Sequence, residues 1–231
     1  MRLAVYFAPD PADALAIAGA RWLGRDAWTG EKVEQPAIPG LADRTQSPRR
    51  YGFHATLKAP FAIKPHYDER DVHAAVAALA GALDAVPTGT LTLSTEPGFL
   101  ALVPTRASAE VSDLAAACVE ALDRFRAPLT TAELERRRAA GLNEHQEQLL
   151  LHWGYPYIFD QFRFHLTLSD SAEPATLFDL SIAAWRHFAH TVNRTLVIDS
   201  LCLFREAVPG APFQAVKRFP LGKQTASGTA A

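Results

Sequence analysis

One frame occurs twice in the chain and limits the architecture more than any other feature: Phe53-His54-Ala55-Thr56-Leu57 and Phe164-His165-Leu166-Thr167-Leu168. The copies lie near the middles of the two halves of the 231 residues. Apolar and polar side chains alternate through both, the pattern of a half-buried strand. Residues two apart in a strand share a face. The first strand is therefore expected to place His54, Thr56 and Lys58 together, opposite Phe53, Ala55 and Leu57. The second groups Arg163, His165, Thr167 and Ser169, opposite Phe164, Leu166 and Leu168. Each strand thus offers an imidazole, a hydroxyl and a cation on the side away from its core.

Other elements alternate around these strands. Residues 3–8 read as a strand, followed by a helix to about Leu23 with Asp10 as its cap and Pro11 at its first position. Residues 24–50, rich in Gly, Pro and charge, read as a long connection closed by Arg49 and Arg50. Pro60 and Pro65 end the first motif strand. Helices are expected over 68–86, 108–125 and 174–190, with Pro87-Thr88-Gly89 breaking the first. Strands at 90–94 and 99–104 are joined by the turn residues Glu96-Pro97-Gly98. Residues 127–155 read as two helical pieces, the first opened by the capping-box pair Thr130 and Glu133. Residues 195–204 and 213–219 form a closing strand pair. The expected fold is α+β, with two lobes related by internal duplication over residues 1–221 and one motif strand in each. Both motif strands are expected at sheet centres, with their imidazoles opening into one cleft. The small polar tail 222–231 cannot bury surface and is expected to be disordered.

Composition excludes several classes. A net charge of −2 argues against broad binding to a nucleic-acid backbone, which needs a strong basic excess. No run approaches the roughly 18 apolar residues of a membrane span. Asp10, Pro11 and Asp13 interrupt the apolar start, so no signal-peptide core forms, and a cytoplasmic protein is expected. Cys118 and Cys202 stand apart in apolar surroundings and read as buried thiols. No C-x-x-C pair or H-E-x-x-H helix is present, so no metal site and no cofactor is expected. His187 and His190, His145 and His152, and His66 and His73 have no third ligand at metal-site spacing.

Two histidines facing one centre can divide the proton transfers of a phosphodiester cleavage. An imidazole titrates near neutrality, at roughly 6.5. One ring takes a proton from the attacking oxygen while the other gives one to the leaving oxygen. Those oxygens stand roughly in line across phosphorus. Thr56 and Thr167 can donate to the non-bridging oxygens. Lys58 and Arg163 are either substrate ligands or ordinary solvated cations. Tyr51, Tyr155 and Tyr157 either stack on a base or ribose or simply pack. Arg136–Arg138 reads as a solvated face in preference to a lid over the phosphate.

His54-Ala55-Thr56 and His165-Leu166-Thr167 resemble the paired His-x-Thr/Ser motifs of the two-histidine (2H) phosphoesterases. The longer strings RRYGFHATLKAPF (49–61) and FRFHLTLS (162–169) look like an uncharacterised branch of that family associated with phosphonate-utilisation operons. The resemblance implies two pseudo-symmetric lobes, each an antiparallel sheet with helices on its outer face, and a groove between them. It also implies catalytic roles for His54, Thr56, His165 and Thr167 without a metal. The implied partner is a small-molecule phosphate ester or an RNA end: a 2′,5′-phosphodiester or the cyclic phosphate of a nucleotide or phosphoribosyl compound. The rival readings are a non-catalytic module that captures such a ligand, and a ligase-like reaction run in reverse.

Overall fold

The computed structural model describes residues 1–96 and 98–222. Pro97 of the expected hairpin turn, and the expected tail beyond Gly222, lie outside the described residues.

The first strand, β1 (Arg2–Phe7), is buried along almost its whole length because both of its faces meet a core. Leu3, Val5 and Phe7 enter the main core. Ala4 and Tyr6 face a smaller cluster with Cys202, Phe204 and Phe213. After a turn in which the Asp13 amide donates to the Asp10 carbonyl comes helix α1 (Ala14–Leu23). Asp13, not Asp10, caps it by accepting from the Leu15 amide at 2.7 Å, so the helix starts later than Pro11 suggests. The expected long connection contains two short helices, α2 (Leu41–Arg44) and α3 (Gln46–Tyr51). The first motif strand, β2 (Ala55–Phe61), follows.

Helix α4 (Glu69–Ala82) is capped by Asp68 and leads to β3 (Val86–Gly89), β4 (Leu91–Ser94) and β5 (Ala101–Pro104). Helix α5 (Ala109–Asp123) starts from the Ser108 cap. Helix α6 (Thr131–Arg138) carries the expected Thr130–Glu133 capping box, and α7 (Glu144–Trp153) has a second one at Asn143 and Gln146. The second motif strand, β6, spans only Leu166–Thr167. Helix α8 (Pro174–Phe188) then leads to β7 (Leu196–Ile198), β8 (Ser200–Glu206) and β9 (Gln214–Pro220).

The strands pair antiparallel in a four-stranded sheet of order β2-β1-β8-β9, a three-stranded sheet of order β4-β5-β6 and the pair β3-β7. The chain ends therefore complete the sheet that holds the first motif, and the middle of the chain builds the one that holds the second. Both motif strands are edge strands, not central ones. An edge explains why Pro60 sits inside β2 instead of ending it, since an edge strand has amide positions with no ladder bond to lose. Pro87 is accommodated in the same way in the two-stranded pair, where a break was expected.

A register shift in β2 re-aims the first motif. Tyr6 lies opposite Thr56 but Val5 lies opposite Lys58, so Leu57 is an extra residue in the ladder. Such a bulge breaks the two-residue alternation. Thr56 keeps the cleft side, Lys58 turns toward α5, and Ala59 takes the next cleft position.

Candidate active site

Each motif histidine stands one residue before its strand and is fixed in the same way. His54 Nδ1 lies 2.8 Å from the carbonyl oxygen of Gly52, and His165 Nδ1 lies 2.8 Å from that of Arg163. A carbonyl only accepts, so in each ring Nδ1 carries the hydrogen and the neutral tautomer leaves Nε2 as the basic nitrogen. His54 Nε2 is 3.3 Å from Thr56 Oγ1. Gly52 makes the first arrangement possible. Its φ of 80° lies in the left-handed region, and a Cβ there would meet the Ala27 Cβ at 2.4 Å. The His54 ring stacks on Tyr6 with centroids 3.8 Å apart and planes at 27°. His165 sits against Phe99 at 5.6 Å.

Burial lowers the proton affinity of both rings, because removing water penalises the cation. For His54 this outweighs the bond to the Gly52 carbonyl; with a smaller push from the charge of His165, its pKa falls to about 4. His165 is lowered by burial, offset in part by the Arg163 carbonyl.

They open into two adjoining cavities. One, of about 410 Å³, is lined by His54, Thr56 and Thr167 together with Arg2, Tyr6, Tyr51, Arg136, Arg137, Ser169 and Asp170. The other, of about 370 Å³, is lined by His165 and by Tyr157, Ile158, Phe162 and Arg163. Thr56, Ala59, Phe99 and Tyr155 border both.

The structure thus brings His54, Thr56, His165 and Thr167 to one composite cleft. Tyr51 also reaches it and stacks on Phe213 with centroids 5.1 Å apart. Tyr157 is exposed at the rim of the second cavity, edge-on to Tyr155. Arg163 lines the same cavity, but its guanidinium is tied to the Asp160 and Phe162 carbonyls at 2.8 and 2.7 Å. Lys58 does not join them. It is 4% exposed, and its ammonium donates to the Val119 carbonyl and to Asp123, both at 3.1 Å. The bulge at Leu57 is the physical reason.

Sequence reasoning missed Arg2 and Tyr6. Only part of the signal was present: Arg2, Ala4 and Tyr6 share one parity of β1, but the pairing of β1 with the first motif strand is set by the fold. Arg136, Arg137 and Arg138 were read as a solvated face; Arg136 and Arg138 are exposed, but Arg136 and the half-buried Arg137 also border the cleft, while Arg138 pairs with Glu147. Among the described residues, no three His, Cys, Asp or Glu side chains stand together as a set of metal ligands. His187 bonds the Ala18 carbonyl instead. Both cysteines are buried, which pushes the Cys118 thiol up to about 12 and that of Cys202 to about 11. No helix among the described residues is long and apolar enough to cross a membrane.

Comparison with known proteins places this chain in a family. Two curated relatives share the name ribose 1,5-bisphosphate phosphokinase PhnN. The one from Janthinobacterium sp. (strain Marseille) is 41% identical over 232 residues, covering 96% of this chain and 51% of the relative. The one from Laribacter hongkongensis (strain HLHK9) is 38% identical over 216 residues, covering 93% and 50%. The chain therefore spans about half the length of these relatives. A solved structure described as a phosphoesterase aligns over 96% of this chain and 98% of its own, at 13% identity and a TM-score of 0.41. The family described as "Protein of unknown function (DUF1045)" matches residues 56–214, a stretch running from the first motif threonine to the last strand, and the chain belongs to that family.

Proposed function

We propose that this protein is a metal-independent phosphodiesterase in which His54 and His165 are the proton-transferring pair. Its substrate in this reading is a cyclic phosphate or 2′,5′-phosphodiester of a nucleotide or phosphoribosyl compound. One observation carries the reading: both rings have Nδ1 held by a carbonyl two residues earlier, which leaves both Nε2 atoms for chemistry in adjoining cavities. Matched anchoring of this kind suits two groups that exchange the roles of acid and base.

In the proposed reaction, the neutral imidazole accepts a proton from water as its oxygen bonds to phosphorus. The protonated one gives its proton to the leaving ester oxygen as the P–O bond breaks. Thr56 and Thr167 donate to the non-bridging oxygens, whose charge grows in the transition state. Tyr51 and Tyr157 border the space left for the organic portion.

The resemblance of the motif strings to the phosphonate-associated 2H branch supports a place in phosphonate metabolism. The relatives' name, which speaks of a ribose bisphosphate, supports a phosphoribosyl substrate. The relatives' name also speaks of a phosphokinase; the phosphate-cradling sequence G-x-x-x-x-G-K-S/T does not occur in these 231 residues.

A panel of nucleoside 2′,3′-cyclic phosphates, 2′,5′-linked dinucleotides and cyclic phosphoribosyl compounds, assayed for new phosphomonoester, tests the proposal. His54→Gln and His165→Gln should each lower turnover by roughly 10²- to 10⁴-fold. The double variant should lose less than the product of the two, because the pair acts as a unit. Tight ligand binding that persists in both variants, with no ester cleaved by the wild type, would support the binding-module reading instead.

A further inference from the structure

We propose that Arg136 and Arg137, with Arg2, form a second anion subsite that holds a terminal phosphomonoester of the substrate, apart from the His–Thr pairs that receive the scissile phosphate. The substrate class then narrows to diesters that carry a second phosphate. This deepens the phosphodiesterase reading and rests on it for the word "substrate", though not for the binding site itself.

The starting observation is a mismatch on α6. This helix buries none of its side chains, and its last turn carries three consecutive arginines. A solvated face would send all three to water. Arg138 does go outward, to Glu147. Arg136, though exposed, and the half-buried Arg137 border the 410 Å³ cavity, and the Arg137 guanidinium lies 5.0 Å from the centroid of the Tyr155 ring. Arg137 Nε is buried and has no hydrogen-bond partner among the described residues. Native proteins retain few such donors, and each needs an explanation such as an absent ligand or water.

The carboxylates nearby are already engaged. Glu206 is fully buried and holds Arg2, at 2.5 and 3.0 Å, as well as Arg50. Asp170, in the same cavity wall, accepts from the Gln46 and Ser47 amides at 3.0 and 3.1 Å. Glu133 closes the capping box of α6 on Thr130. Arg2 is thus paired with Glu206, but among the described residues neither Arg136 nor Arg137 forms an ion pair with these carboxylates, so both keep guanidinium donors for a ligand.

A planar guanidinium fork matches the oxygens of a phosphate in paired hydrogen bonds. At about 30 Å³ per water, the cavity volume equals that of more than a dozen waters, room for more than one phosphate group. The cavity beyond Tyr155 is lined by Tyr157, Ile158 and Phe162 and suits the less polar part of the same molecule.

The test is a calorimetric titration of the full chain with adenosine 3′,5′-bisphosphate and with adenosine 3′-monophosphate at one ionic strength. Wild type should prefer the bisphosphate by about 10- to 100-fold, the scale of charge-assisted hydrogen bonds. In Arg136→Gln/Arg137→Gln this preference should fall to within about threefold; the ratio of the two affinities is the readout, because any loss of Arg137 packing on Tyr155 affects both ligands alike. Arg136→Lys/Arg137→Lys should restore only part of it, since lysine keeps the charge but not the fork. Equal affinities in wild type would overturn the subsite. So would a glutamine variant that binds both ligands more weakly but keeps their ratio, which would mean that the arginines only support Tyr155. The titration needs no turnover, so a failed ester panel leaves it decisive, and turnover without the bisphosphate preference would overturn the subsite alone.

Discussion

Replacing His54 with glutamine should remove one contribution to the protein's sensitivity to acid between about pH 6.5 and pH 4. The imidazole has an ordinary value of 6.5 in the unfolded chain, and burial brings it to about 4 in the fold. Above the unfolded value, both states are neutral at this position and its contribution to stability is fully present. As pH falls, the unfolded chain takes up a proton that the native ring refuses, and stability drops. The loss ends when the native ring itself protonates near pH 4. At 1.36 kcal/mol for each unit of difference, the effect is on the order of 3 kcal/mol. Glutamine has no such titration, yet its side-chain amide can still donate to the Gly52 carbonyl.

Urea unfolding of wild type and variant, measured from about pH 7.5 down to about pH 4, gives the two stability curves. Carboxylates and the remaining histidines contribute to both and cancel to first order in the difference. That difference should move by about 3 kcal/mol in favour of glutamine on acidification. A difference that stays flat across the range would mean that the ring is not held neutral by burial, and the placement of His54 between Tyr6 and the cleft would be wrong.

Other outcomes follow from the same geometry. Gly52→Ala should lower stability by about 1–3 kcal/mol and cut activity more than stability alone explains, because the left-handed residue that orients His54 would press on Ala27; unchanged urea midpoint and turnover would refute this. Lys58→Met should cost about 1–3 kcal/mol of stability while leaving KM unchanged, since the ammonium serves Val119 and Asp123; a tenfold rise in KM would return Lys58 to the substrate. Treatment with EDTA should not change the rate of ester cleavage, and loss of activity restored by zinc or manganese would reveal a metal centre. The optimum of kcat/KM should lie on the acid side of the optimum of kcat, because the free rings hold protons weakly and a bound phosphate strengthens their hold; coincident optima would contradict that.

Much of this layout was legible in residues close to the motifs. Alternation identified both His-x-Thr segments, and capping residues such as Asp68, Ser108 and Thr130 marked helix starts that the structure retains. What failed depends on pairing that lies far away in sequence. The bulge at Leu57 exists only in the ladder with β1, so the strand alone could not reveal that Lys58 leaves the cleft. Pro60 and Pro87 read as breaks because a lone strand does not disclose which of its edges is unpaired. Arg2 becomes a cleft residue because β1 inserts between β2 and β8, a neighbourhood set by the last third of the chain. Asp10 and Asp13 offered the same chemistry for capping α1, and only the turn closed by the Asp13 amide decides between them.

The charge and the proton of the proposed reaction then come from different parts of the fold. A lysine held beside His54, as simple alternation suggested, would have depressed that ring further. Instead, the first motif turns its lysine into a network with Asp123 and Arg126, away from the cleft. The positive charge that faces the main cavity enters on other elements, Arg2 from β1 and Arg136 and Arg137 from α6. Burial keeps both rings poor proton carriers when the site is empty. An anionic ester drawn in by the arginines would reverse that preference locally, since a negative group beside an imidazole stabilises its cation. In this reading the substrate brings the condition that charges its own general acid.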